Sequence, residues 1–222
     1  MIKFAVAAVL AASGTALAQV PFTETFDTDS AGFEDGPGNP AAFNAGAITS
    51  QTVDNANGFF APFPGSPAFA TVFRTDTATS GGAFSGNFFA NDIRQITFDI
   101  TVNNSFGPGE IGPFGLFVRL RNDVLATGLT TDSVTLNPGF NQVTLGLDPA
   151  FLSQSNPGAG ETNVEILQNI EAIQFTAFQI PFASPTAGNV SFTLDNVAIG
   201  VPAPGAAGLL ALAGLAATRR RR

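Results

Sequence analysis

Between residues 19 and 200, apolar and polar positions alternate with a period of two along most of the chain. Ile96, Phe98, Ile100 and Val102 share one phase, and Gln95, Thr97, Asp99 and Thr101 share the other. That pattern predicts a strand buried on one face only. Phe114, Leu116, Val118 and Leu120 repeat it, with Arg119 and Arg121 on the outer phase. Val143, Leu145 and Leu147 make a third strand, and Ile173, Phe175 and Ala177 a fourth. In 190–199 the phase switches from Val190, Phe192 and Leu194 to Val197 and Ile199, which predicts a β-bulge at Asp195-Asn196. Shorter strands are expected at 21–26, 46–53 and 69–74. Turn signals such as Gly81-Gly82, Gly107-Pro108-Gly109 and Asn137-Pro138-Gly139 separate the runs. One stretch breaks the habit. Thr162 to Ile170 sets Val164, Leu167 and Ile170 on one helical face, with Thr162 and Glu165 at capping-box spacing. These elements predict an all-β antiparallel sandwich, jelly-roll-like, with one short helix.

Both ends depart from the alternation. Residues 1–18 carry one charge at Lys3, an apolar run from Phe4 to Ala12, and a small-residue close at Ala16-Leu17-Ala18. This is the order of a secretory signal helix, with cleavage expected after Ala18 and Ala16 at the second recognition position. At the other end, Val201, Pro202, Pro204 and Gly205 precede an apolar stretch from Ala206 to Thr218, and Arg219, Arg220, Arg221 and Arg222 close the chain. Proline lacks the amide proton a helix interior needs, so an apolar helix starts only beyond Pro204. Its thirteen residues reach roughly 20 Å, against a hydrocarbon core of about 30 Å, so it crosses a membrane marginally at best. The arginines are expected on the cytoplasmic side. The chain thus divides into a signal (1–18), a β-sandwich domain (19–200) and a sorting or anchor segment (201–222). The last segment resembles the bacterial PEP-CTERM sorting domain, with Ala203 where the usual signature has Glu. The resemblance implies an exosortase-like membrane protease as partner, transient anchoring in the inner membrane, and delivery to the cell surface or extracellular matrix.

Charge and composition narrow the chemistry. The sandwich segment holds seventeen acidic residues against four arginines (Arg74, Arg94, Arg119, Arg121), a formal charge of −13. Phosphate-rich polymers are repelled by such a body, so nucleic acid is excluded as a partner. Cysteine and histidine are both absent, which removes disulfides, Ser-His-Asp triads and the usual zinc ligands. Trp and Tyr are absent too, while Phe occurs twenty-three times. Phe lacks the polar tip that lets an aromatic ring sit half in water, so this aromatic mass is expected in the core. The Phe-rich stretch from Phe59 to Phe69 is expected to fold over one end of the sandwich.

Three pieces of the body also resemble laminin-B-like and carbohydrate-binding-module-like jelly rolls. They are the opening Glu24-Thr25-Phe26-Asp27-Thr28-Asp29-Ser30-Ala31-Gly32-Phe33, the helix-into-strand segment 166–173, and the closing Leu194-Asp195-Asn196-Val197-Ala198-Ile199. Phe33 stands where Trp is usual. The resemblance implies a structural calcium joining the first strand to the last, with Asp27 and Asp195 as ligands and Glu24 and Asp29 as helpers. Calcium takes six to eight oxygens, so backbone carbonyls and water would complete the shell. The opposing reading makes Asp27 and Asp29 turn residues and Asp195 the acceptor for the bulge amides. No carboxylate pair has a spacing that marks a catalytic site. The favoured function is therefore an exported, non-enzymatic surface or matrix protein with a structural or adhesive role in extracellular polysaccharide. A carbohydrate-binding module and a carboxylate-based glycosidase or lyase are the alternatives.

Overall fold

The computed structural model describes residues 22–35, 38–50, 53–54, 69–104, 114–155, 160–179 and 189–200. The expected signal helix, the expected C-terminal apolar helix and nearly all of the Phe59–Phe69 stretch lie outside them. The described residues form two seven-stranded sheets packed face to face. Sheet A contains β1 (Phe22–Glu24), β3 (Ala42–Asn44), β4 (Ala47–Thr49), β5 (Val53–Asp54), β7 (Gln95–Asn104), β11 (Gly139–Gly146) and β14 (Asn189–Gly200). Sheet B contains β2 (Glu34–Asp35), β6 (Phe69–Arg74), β8 (Phe114–Asn122), β9 (Thr127–Thr130), β10 (Val134–Leu136), β12 (Ser153–Gln154) and β13 (Ala172–Gln179). Every pairing among them is antiparallel, in the order β11-β7-β14-β4-β3 for sheet A and β12-β9-β8-β13-β6-β2 for sheet B. The chain is the jelly-roll-like sandwich its alternation predicts.

The inward phase of each strand supplies the core. Phe98 of sheet A meets Phe175 of sheet B edge-to-face, with ring centroids 5.1 Å apart. Phe114 and Phe192 repeat the contact at 5.6 Å. All four rings are buried. Near one end of the sandwich, Phe33 contacts both Phe26 and Phe84 edge-to-face and is fully buried, so the substitution for Trp is a packing choice. β14 is the organising strand. It pairs along its length with β7, and on its other edge with β1, β4 and β5 in turn. The first and last strands of the body are thereby joined.

Several local expectations are corrected. The strand expected over 46–53 is two short strands, β4 and β5; between them Ser50 donates its amide to the Phe192 carbonyl and accepts the Phe192 amide on Oγ. The strand expected over 21–26 stops at Glu24, because Phe26 takes a left-handed φ of 50°. The helix expected over 162–170 is α1 (Asn163–Leu167), shorter than its periodicity suggests. Its capping box is present, with Thr162 and Glu165 each accepting the other's backbone amide. Ile166 and Leu167 are its buried face, while Ile170 leaves the helix to exchange backbone hydrogen bonds with Gly86. The bulge at Asp195-Asn196 is where the phase switch puts it. The β14–β7 register shifts between Asp195 and Ala198, and Asn196 has a φ of 50°.

Phe98→Ala removes one side of the inter-sheet contact. It is expected to destabilise the protein by about 3–5 kcal/mol in urea unfolding. A double-mutant cycle with Phe175→Ala should return a coupling of about 0.5–1.5 kcal/mol. Additive losses would mean the two rings do not meet.

Candidate functional site

Of the residues expected to bind calcium, Asp195 stands on the outer face of sheet A with Asp27 near it, beside where β1 pairs with β14. Asp99 and Asp195 are register partners on adjacent strands, so two carboxylates stand directly opposite each other. Asp27 lies close enough to act on Asp195 electrostatically. The Asp195 carboxyl is held above the usual carboxylate range, first by partial burial and then by Asp99 and Asp27, against the pull of the Asn196 amide. That amide donates to Asp195 Oδ1 at 2.6 Å, and the Asn196 side chain reaches Asp99 Oδ2 at 2.8 Å. Glu24 does not join them. Its carboxylate accepts the Phe26 amide at 3.0 Å and the Ser80 hydroxyl at 2.8 Å, fixing the turn that sends Phe26 into the core. Asp29 caps the Ala31 amide. Among the described residues, no group of three or more Asp, Glu, His or Cys side chains is gathered closely enough to hold a metal ion. Asp27 and Asp195 alone would supply only part of a calcium shell.

The alternation placed Arg119 on an outer face but gave no reason to single it out, and the residues around it come from distant parts of the chain. On the outer face of sheet B, register aligns Arg74, Gln174, Arg119, Thr130 and Ser153 in one row across β6, β13, β8, β9 and β12. At about 4.8 Å per strand the row spans roughly 19 Å. Thr71, Thr176 and Phe117 align beside it. A bulge in β6, where Val72 and Phe73 both turn inward, brings Thr71 into that second row. Among the described residues, Thr71, Phe117, Arg119, Thr130, Ser155, Gln174 and Thr176 line a hollow of about 410 Å³, with one cation and no carboxylate among them. Phe117 lies beside Phe178, with centroids 6.2 Å apart. The Phe178 ring packs against Gly115, where a Cβ would run into it.

Three of the four arginines of the body stand on this face. Arg74 is paired with Glu34 and Arg121 with Asp123. The fourth, Arg94, pairs with Asp92 at 2.7 Å and lies over the Phe89 ring. Beyond Arg119 lies a second hollow, of about 260 Å³, lined by Arg74, Thr75, Asp76, Thr77, Arg121, Asp123, Glu171 and Ala172. Its carboxylates are committed to the backbone or to arginine. Asp76 accepts the Ala78 and Thr79 amides, and these bonds hold it below its ordinary value. Glu171 accepts the Asp123 and Val124 amides. A general acid needs a carboxyl that keeps its proton near neutral pH, and Asp76 is shifted the other way.

No protein-family model matches the chain, and no curated protein sequence matches it. Among solved structures, a family 28 carbohydrate-binding module specific for non-crystalline cellulose is similar at a TM-score of 0.47 and 8% identity, over 76% of this chain and 87% of that one. A family 11 module of the cellulosomal cellulase Lic26A-Cel5E of Clostridium thermocellum is similar at 0.35 and 13% identity, over 71% and 84%. A family 29 module complexed with cellulohexaose scores 0.35 at 8% identity, over 81% and 91%. These likenesses are faint in sequence and partial in structure, and what the site can do follows from the chain's own residues.

Because folded Asp195 binds its proton more tightly than the unfolded chain does, its contribution to stability is lost as pH rises from the ordinary carboxylate value through the raised one. In EDTA, Asp195→Asn should therefore raise the Tm at pH 7, and the gap should close below the ordinary carboxylate range. If Asp27 and Asp195 clamp calcium, adding the ion raises the Tm of the parent chain and not of the variant; no response to calcium or chelator removes the clamp.

Proposed function

We propose that this chain is an exported, non-enzymatic surface or matrix protein whose β-sandwich binds extracellular polysaccharide through the outer face of sheet B. The observation that carries the reading is the hollow at Arg119. It combines a guanidinium, a primary amide, hydroxyls and one aromatic ring on rigid strands, the mixture a sugar needs. Hydroxyls of a glycan take Gln174, Thr71, Thr130 and Thr176, and its C–H faces take Phe117. Strand-borne side chains are already ordered, so little entropy is lost when a polymer lies along the row. Binding without chemistry is favoured because the nearest carboxylates are spent on structure. A structural or adhesive role follows from such a surface on an exported protein.

The delivery half of the proposal rests on the two chain ends. Residues 1–18 direct export, and an exosortase-like protease recognises Val201, Pro202, Pro204 and Gly205 and removes the tail with Arg219, Arg220, Arg221 and Arg222. Among the described residues no helix is long and apolar enough to cross a membrane. The tail is outside them, and its short apolar run supports a removable anchor.

Affinity electrophoresis of the full chain across neutral and uronate-bearing polysaccharides should show retardation by at least one of them, and silence throughout would sink the binding half. Mass spectrometry of the protein from its own cells should find a new C-terminus within residues 201–205. An intact Arg222 in surface material would contradict processing.

A further inference from the structure

We infer that the hollow around Arg119 reads a single carboxylate on an otherwise neutral stretch of glycan. This rests on the polysaccharide reading above and names the chemical class of the ligand. Arg119 donates from Nε to Ser155 Oγ at 3.0 Å. Ser155 is itself fixed, since its amide and hydroxyl both donate to the Gly128 carbonyl, at 2.9 and 3.1 Å. Gly128 permits this approach: a Cβ there would press on the Leu120 carbonyl at 2.6 Å and crowd both Ser155 and Arg119. The guanidinium is thus oriented through one of its five N–H groups, leaving the remaining donors for a ligand.

Arg119 also lacks a direct ion-pair partner among the described residues, whereas Arg74, Arg94 and Arg121 each have a carboxylate partner. Partial burial and then the like charge of Arg121 act against the charged form of Arg119, and Asp123 offsets them only in part. A ligand carboxylate would relieve both, and the planar fork of the guanidinium suits it in two-point contact. Gln174, Thr176 and Phe117 are left for neutral sugars on either side.

The surroundings set an upper limit on ligand charge. Glu34 and Asp123 stand on the same face, Asp76 and Glu171 line the next hollow, and the body carries −13 overall. At physiological salt, charges beyond about 8 Å are screened, so one anion at Arg119 is tolerated while a dense polyanion meets the flanking acids. The chemistry selects an isolated uronate, or another single carboxylate, between neutral residues.

The test pairs each uronate-bearing polysaccharide with its carboxyl-reduced product, using the full chain in affinity electrophoresis and calorimetry. Gellan, with glucuronates spaced by neutral sugars, is the sparse probe, and polygalacturonate the dense one. Gellan should bind more tightly than its reduced product and than polygalacturonate. Arg119→Gln should weaken gellan binding by about tenfold or more, the loss of one charge-assisted contact. Ser155→Ala, which only releases the guanidinium, should give a smaller loss in the same direction, and Arg94→Gln none, with unchanged Tm values as the folding control. Binding indifferent to carboxyl reduction or to Arg119→Gln overturns this inference and leaves the polysaccharide reading standing. Tighter binding of polygalacturonate than of gellan overturns the single-carboxylate limit. Silence across every polymer overturns both.

Discussion

The two sheets are held together by phenylalanine rings meeting edge-to-face across the interior, Phe98 on Phe175 and Phe114 on Phe192. A chain without cysteine has no disulfide to fall back on, so apolar burial must supply the cohesion. Phe suits that task better than Trp or Tyr. Each buried indole or phenol would bring an N–H or O–H that needs a partner, whereas a phenyl ring can be enclosed completely with no hydrogen bond to satisfy. Phe33, fully buried between Phe26 and Phe84, illustrates this.

Committing the inward phase to the core leaves the outward phase to polar chemistry, and the two outer faces differ. Sheet A presents Thr49, Thr101 and Thr193 in one row, with Asp99 opposite Asp195 in the next. The close approach of those carboxylates sits at a bulge, whose amide Asp195 accepts. Sheet B presents three arginines, an amide, hydroxyls and Phe117. Rigid strands hold those groups at fixed spacing, which is what the proposed recognition of a repeating polymer requires. Sequence-wide acidity repels polyanions in general, while one partly buried guanidinium leaves a local charge of opposite sign on this face.

Much of the fold was legible in the chain because alternation reports burial directly. The phase of Ile96–Val102 and of Phe114–Leu120 gave the correct inward residues, and the slip after Leu194 gave the bulge. Short elements were harder. β9 carries one Leu among Thr and Gly, and β10 is three residues long, so neither shows a run of alternation, and the pairing with β8 that stabilises them is tertiary. α1 stops early, and Ile170 directs its backbone amide and carbonyl to Gly86 instead of into another helical turn. The hollow at Arg119 could not be read at all. Alternation told that Arg119 points outward, but its neighbours Thr71, Thr130, Ser155 and Gln174 are set beside it only by strand order and register, which no local pattern encodes.

The central claim is that the outer face of sheet B, with Arg119 at its middle, is where this sandwich meets a glycan. Two-dimensional NMR of the labelled full chain, titrated with oligosaccharides of a uronate-bearing polysaccharide, tests it most directly. The account predicts that the Arg119 Nε–H and Gln174 side-chain amide signals move first and farthest, with backbone shifts along β8, β9 and β13. Shifts confined to Asp99, Asp195 and the outer strands of sheet A would contradict it.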